Sequence, residues 1–418
     1  MKIKANKFSA SLIALLAFSI PASILNYVFS IAIGRLLTVE EFGIYNSMNS
    51  MANNVIAIYA PFAVLVTRIT AESKDIIGEN TDRYKQIFKI YLCFFAITSL
   101  AGMLLYPLLK GRFGADSFAQ WLLILIMIGI MGLHSLAFGF VQGTQRFILY
   151  GFLNCLLMAV KLVMFVGGIR AGGGFAAVIF AMLLSHLLIV IICSCTAKKA
   201  CESIYAQETG TKEIYSLKDI TSLYGLTFLV QLIYMFYVNG GEIVFMNFFC
   251  DDTEIGLYSS IITLAKICVY LISTFNAVLL PIIAGKADDL QGGKKTLYAS
   301  LIFTVICSAL FAVVMLVGGK WFIPFMWGEK YLPALKYLGA SLMYAIPLAN
   351  LMVVHTYMLG RGKLEFYTAV LSLMLIVSAA AASLLSDNIS AVPVSFGTGM
   401  IITLIVTLIY IVKEKENV

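Results

Sequence analysis

Gly34-Arg35-Leu36-Leu37-Thr38-Val39-Glu40-Glu41-Phe42-Gly43-Ile44-Tyr45 separates two long apolar runs, from about Phe8 to Ile33 and from about Gly43 to Val66. Asp251-Asp252-Thr253-Glu254-Ile255-Gly256-Leu257-Tyr258 repeats its second half. A shift of 213 carries Glu41, Gly43 and Tyr45 onto Glu254, Gly256 and Tyr258, and Asn26 onto Asn239. Ala63-Val64-Leu65 falls on Ala277-Val278-Leu279 one residue further on. Gln142-Gly143-Thr144-Gln145-Arg146 resembles Leu359-Gly360-Arg361-Gly362-Lys363 at a slightly larger shift. A steady shift close to half the chain length reads as an internal duplication.

Of the 418 residues, 61% are hydrophobic and 12% charged. A soluble chain carries about 25% charge, so the surplus apolar side chains face lipid. Runs of about 20 apolar residues span a bilayer as helices. Twelve are legible: 10–34, 42–66, 88–109, 118–141, 147–168, 173–196, 220–246, 255–281, 296–317, 333–358, 366–386 and 391–412. The expected fold is an all-α polytopic membrane protein with twelve transmembrane helices in two pseudo-symmetric six-helix lobes. Residues 1–196 form the first lobe, 197–219 a polar cytoplasmic linker and 220–418 the second lobe. Two six-helix copies joined this way share one orientation and are related by an axis along the membrane normal. Lys2, Lys4 and Lys7 before the first run resemble a leader, but the run is too long for one and is read as the first span.

Twelve spans put both termini on one side. Loops and tails on that side hold twenty Lys/Arg, against six on the other. Lys/Arg-rich short loops stay cytoplasmic, so both termini are expected inside a bacterial cytoplasmic (inner) membrane. This bias accounts for the net charge of +7, and no nucleic-acid partner is implied. The eight cysteines are scattered, with neither a disulfide framework nor metal-ligand spacing. No catalytic constellation, metal site or cofactor motif is legible. Trp121, Trp321 and Trp327 fall near outer helix ends, as interfacial anchors do.

Ionisable and amide groups inside spans mark candidate sites. Lys161 lies roughly 21 Å along its span from Phe147, and Lys266 roughly 16 Å from Ile255. A buried cation suits an anionic substrate, and Lys266 is the stronger candidate. The shift of 213 sets Lys266 on Asn53. Asn46, Asn49 and Asn53 share one helix face by their spacing, and Asn26 and Asn239 match in spans 1 and 7. Such amides suit sugar hydroxyls, or hydrogen bonds between helices. His134, His186 and His355 read as hydrogen-bonded structural groups. Arg35 ends span 1 and Glu242 nears the same end of span 7, so the two are expected to meet as an outer gate. Pro21, Pro61, Pro107, Pro281 and Pro347 mark kinks.

Gly34-Arg35-Leu36-Leu37 with Glu41-Phe42-Gly43-Ile44-Tyr45, the Gln142–Phe147 turn and Glu254–Tyr258 resemble the polysaccharide-biosynthesis (Wzx-type) flippases of the multidrug/oligosaccharidyl-lipid/polysaccharide (MOP) exporter superfamily. The resemblance covers essentially the whole chain. It implies a MOP/MATE-like bundle with helices 1, 2, 7 and 8 around a cavity. It further implies flipping of an undecaprenyl-diphosphate-linked oligosaccharide to the outer leaflet by alternating access, in membrane lipid, beside a polysaccharide polymerase and glycosyltransferases. It carries over no catalytic set. Two alternatives stay open. A MATE-like drug/cation antiporter needs a buried carboxylate, for which Glu242 is the one candidate. An inner-membrane polysaccharide polymerase or ligase needs a charged cluster on an outer loop, which the short outer loops lack.

The charge bias makes a direct prediction. Cysteines placed within 111–117 or 319–331 are expected to react with an impermeant thiol reagent from outside, and those within 75–81 or 207–213 are not. The reverse pattern, or labelling of both sets, excludes the orientation.

Overall fold

Backbone amides in hydrocarbon have no water to bond, so spanning chain must satisfy them internally. The computed structural model of the chain describes residues 2–72, 81–144, 146–202, 225–284, 289–385 and 388–414. Among them every regular element is a helix. The expected linker, beyond Glu202, lies outside the described residues.

Among the described residues fifteen α-helices follow one another: α1 (Lys2–Leu36), α2 (Val39–Ala57), α3 (Ala60–Glu72), α4 (Thr81–Leu109), α5 (Phe118–Gly143), α6 (Phe147–Arg170), α7 (Ala176–Glu202), α8 (Leu226–Val238), α9 (Gly241–Met246), α10 (Asp252–Ala265), α11 (Ile267–Ala284), α12 (Leu290–Trp327), α13 (Leu338–Arg361), α14 (Leu364–Leu384) and α15 (Ala391–Lys413). A 3₁₀ segment, Glu329–Tyr337, joins α12 to α13. Among the described residues nine helices are long and apolar enough to cross a membrane, and α2 with α3, bent by 48°, makes ten. Two shorter apolar helices, Ile20–Leu36 and Leu226–Val238, coincide with spans 1 and 7. The count of twelve is compatible with this arrangement.

Contacts divide the chain into two compact units. Met1–Leu37 and Val55–Ile220 form the first, and Thr38–Asn54 and Thr221–Val418 the second. Thr38–Asn54 groups with the residues that follow Thr221.

In the first unit α1 packs on α6, α3 on α5, and α5 and α6 on α7. Phe138, Val141, Leu153, Leu157, Ile189 and Cys193 are its buried apolar cluster. Ser117 Oγ accepts from the Gln120 N–H and the Ser117 N–H donates back to Gln120 Oε1, a capping box that fixes where the helix begins. Four residues on, Trp121 is buried and donates its indole N–H to the Gly102 carbonyl at 2.9 Å. Trp121 is therefore a core group, as is buried Trp327, which packs near Phe42. Trp321 alone of the three is exposed and keeps the expected position of an anchor. Sequence position marks the helix ends correctly, but packing decides which indoles stay outside.

In the second unit α13 is the central helix, touching α10, α11, α12 and α15. By contrast α12 exposes Ile302, Val305, Ile306, Leu310, Val313, Val314, Leu316 and Val317. So large an apolar face is unstable in water and is a lipid-facing surface. Here the two copies of the opening motif meet. A Cβ on Gly43 would overlap the carbonyl oxygen of Asp252, and a Cβ on Gly256 that of Val39. Val39 and Asp252 are themselves one repeat shift apart. The contact is therefore reciprocal, as across a two-fold axis. Only glycine lets the two backbones approach this closely.

Gly256→Ala is expected to destabilise the protein by about 1–3 kcal/mol, because a backbone carbonyl cannot swing away from the added methyl. In exposed Gly339→Ala the added Cβ meets open space, and α13 is expected to gain up to about 1 kcal/mol. Thermal unfolding in detergent checks both. Equal melting temperatures for the two variants would exclude the close crossing.

Candidate functional site

Three expected spans are irregular within their length. Pro61 has no N–H and its ring blocks continuation of the preceding turn, so α2 stops at Ala57 and α3 starts at Ala60 with the 48° bend. Span 7 breaks at Asn239-Gly240, where Gly240 has φ +81°. Span 8 is interrupted at one residue, Lys266, whose N–H still bonds Ile262 at 2.8 Å. Irregular backbone at membrane depth is tolerated only inside protein or around a cavity, and transporters place sites there.

Lys266 and Glu242 meet at two of these breaks. The ammonium lies 3.2 Å from Glu242 Oε1, with side-chain exposures of 11% and 0%. Its Nζ is 5.2 Å from the Tyr344 ring centre. The Tyr344 hydroxyl has one proton and donates it to the Tyr237 carbonyl at 2.5 Å. Glu242 Oε2 and the Tyr258 hydroxyl, both buried, are left without a hydrogen-bond partner. A buried ion pair is weakly stabilising as a pair, but either charge alone is costly. Glu242, expected to face Arg35, thus has Lys266 as its cation; Arg35 is exposed in the last turn of α1.

The asparagines separate by role. Asn239 donates to the Asn53 carbonyl at 3.2 Å, so these two singled-out residues do meet. Asn46 turns its amide back to the Phe42 carbonyl at 2.7 Å. Asn46, Asn49 and Asn53 are all half-buried. The gap over Gly240 is filled by Ser50, one turn before Asn53.

The first unit holds the other cation. Lys161, buried on α6, donates to Asn26 Oδ1 of α1 at 3.3 Å and sits 4.3 Å from the Phe29 ring centre. Among the described residues no carboxylate is paired with Lys161. An aromatic face and an amide oxygen stabilise an ammonium, yet neither neutralises it. Asn26 itself is exposed. The half-buried His134 and the buried His186 rings stand 5.0 Å apart in the same unit, and His186 Nδ1 meets the Met182 carbonyl at 2.7 Å.

Some polar groups escape the sequence reading. His355 Nε2 is 2.9 Å from Gln231 Oε1, its Nδ1 is 3.3 Å from the Tyr367 hydroxyl, and its ring stacks on Tyr234 at 3.8 Å. Gln231 and Tyr234 lie one turn apart within an apolar span, a helical spacing that could have flagged them. Asn276 of α11 is buried with neither amide atom bonded. No cluster of three or more metal-ligating side chains occurs among the described residues.

Fold and site together define a polytopic helical membrane protein with a duplicated scaffold, interrupted spans and buried lysines. The chain belongs to the polysaccharide biosynthesis protein family, which it matches over residues 32–336. No curated protein matches it. Among solved structures it is similar to an inward-facing multidrug resistance MATE family transporter of the MOP superfamily, with TM-score 0.69, 14% identity and coverage of 96% of this chain and 97% of that one. It is similar to the lipid II flippase MurJ in its inward closed conformation, with TM-score 0.68, 13% identity and coverage of 95% and 88%. A point mutant of the Vibrio cholerae MATE transporter VcmN gives TM-score 0.63 at 15% identity, covering 97% of each chain. At such identities the likeness establishes the MOP/MATE-like fold.

The ion pair has a thermodynamic signature. Glu242→Gln and Lys266→Met are each expected to destabilise by about 3–5 kcal/mol, because each strands a buried charge. The double variant is expected to recover most of that loss. Additive losses in detergent unfolding would mean that the two side chains act separately.

Proposed function

We propose that the protein is a transporter that flips a polyprenyl-diphosphate-linked oligosaccharide from the inner to the outer leaflet by alternating access. Family membership supports a place in polysaccharide biosynthesis. The fold supports transport, and the resemblance to one lipid flippase supports a lipid-linked substrate. On this view the protein sits in the bacterial cytoplasmic membrane with both termini inside. Glycosyltransferases supply its cargo and a polysaccharide polymerase takes it.

The observation that carries the proposal is the Lys161 ammonium, buried without a paired carboxylate among the described residues and held only by Asn26 and the Phe29 face. Coulomb attraction is strongest where water is excluded, so a diphosphate is a natural counter-charge. By depth alone Lys266 is the stronger candidate. Its partnership with Glu242 moves the preferred role to Lys161 and assigns Lys266 to holding Glu242. Asn26, exposed beside Lys161, is suited to a sugar hydroxyl or a phosphate oxygen, and Asn46, Asn49, Asn53 and Asn239 remain candidate sugar contacts. A drug/cation antiporter would need a carboxylate open to a cation, whereas Glu242 already has one. Catalysis has no supporting constellation, so the proposal is transport without bond chemistry.

Lys161→Gln is expected to lower binding of a polyprenyl-diphosphate sugar by about tenfold or more, the value of one charge-assisted hydrogen bond. Binding of an uncharged polyprenol should stay unchanged. Lys161→Arg keeps the charge with altered geometry and should retain partial transport. A well-expressed Lys161→Gln protein with full flipping in reconstituted vesicles would remove Lys161 from the path.

A further inference from the structure

Leu359-Gly360-Arg361-Gly362-Lys363, the repeat partner of the Gln142–Arg146 turn, has no part in the site above. Gly362 ends α13 with φ +70°. That left-handed step is strained for any residue with a Cβ, and it turns the chain so that residues on both sides of it reach one acceptor. Arg361 Nη2 lies 3.7 Å from Glu414 Oε1, with both side chains over nine-tenths buried. Lys363 pairs with the same oxygen from a side chain 44% exposed. Lys294, near the start of α12, donates to the Glu414 carbonyl at 2.7 Å and to that of Val412 at 3.5 Å. Those carbonyls are orphan acceptors at the end of α15, so Lys294 caps that helix. Arg361 and Lys363 then converge on a single carboxylate oxygen. Below them the Tyr357 hydroxyl, 1% exposed and in the field of Arg361 and Glu414, has no hydrogen-bond partner.

We propose that Arg361, Lys363 and Tyr357 form a phosphate-binding site at the membrane surface, where the Glu414 carboxylate acts as an internal stand-in that an incoming phosphate displaces. An arginine fork beside a lysine matches a tetrahedral anion, which offers more acceptor oxygens and more charge than one carboxylate. The buried tyrosine hydroxyl supplies a further donor that Glu414 leaves unused. Arg361 and Lys363 flank the junction of α13 and α14, where apolar spans give way to polar chain. A lipid phosphate headgroup lies at that depth, and Lys363 is open to receive it. Glu414 follows the last turn of α15, so releasing its side chain breaks no bond inside that helix. The site is built from residues other than Lys161 and its test reads binding, so its outcome is independent of the transport proposal.

The test uses the purified full chain in neutral detergent, titrated with short-chain phosphatidic acid, short-chain phosphatidylcholine or inorganic phosphate, with thermal stabilisation as the readout. Phosphatidic acid is expected to stabilise the protein and phosphatidylcholine is not. Glu414→Gln removes the internal competitor and is expected to raise phosphatidic acid affinity by about tenfold, and Lys363→Gln to lower it by about tenfold. Stabilisation by inorganic phosphate to the same extent would support the site and assign it to soluble phosphate. A mere structural tie predicts that Glu414→Gln lowers the melting temperature without raising affinity. That result, equal affinities in all three proteins, or equal stabilisation by phosphatidylcholine, would overturn the proposal.

Discussion

A peptide group in hydrocarbon must find its hydrogen bond within the protein. Two of the departures from a straight helix lie where other chain covers them. The break at Asn239-Gly240 is closed by α2: Ser50 faces Gly240, and Asn239 bonds the Asn53 carbonyl. The interruption at Lys266 is held by a buried carboxylate and flanked by tyrosine. Continuous α12, with no such break in its middle, can expose its apolar length to lipid.

The same constraint separates the two deep lysines. Lys266 and Glu242 neutralise each other, so their desolvation is compensated inside the fold. Lys161 has an amide and an aromatic face, which lower the cost of burying its charge without cancelling it. A charge left uncompensated at depth is expensive. Depth alone ranks Lys266 first. Pairing reverses the order, because an anionic ligand gains most from the cation that lacks a resident anion.

Much of this is legible in the chain itself. Apolar run lengths mark the spans, and the spacing of Glu41-Phe42-Gly43 against Glu254-Ile255-Gly256 marks the duplication. Lys161, Asn26, Asn53, Asn239, Lys266 and Glu242 all stand out as polar groups in apolar surroundings. Their partners are not legible, since pairing depends on helix rotation and crossing, which hydropathy does not encode. Glu242 and Lys266 lie 24 residues apart on separate spans, and no local period connects them. Gln231, Tyr234 and Tyr367 around His355 escape notice because a lone amide or hydroxyl barely lowers the hydropathy of a long apolar run. Trp121 and Trp327 pass for anchors because interface and core both favour indoles near helix ends, and only packing distinguishes them.

The two copies preserve backbone and diverge in side chain, and the physics of each contact explains why. Gly43 and Gly256 meet through carbonyls and missing methyls, a contact any larger residue on either side would break. It therefore constrains both copies equally. Polar side chains carry no such reciprocal constraint. Asn26 receives a hydrogen bond from Lys161, whereas its repeat mate Asn239 gives one to Asn53. Asn53 occupies the place in α2 that Lys266 holds one shift later. A duplicated crossing can thus hold its geometry while one copy keeps a neutral amide and the other gains a buried ion pair.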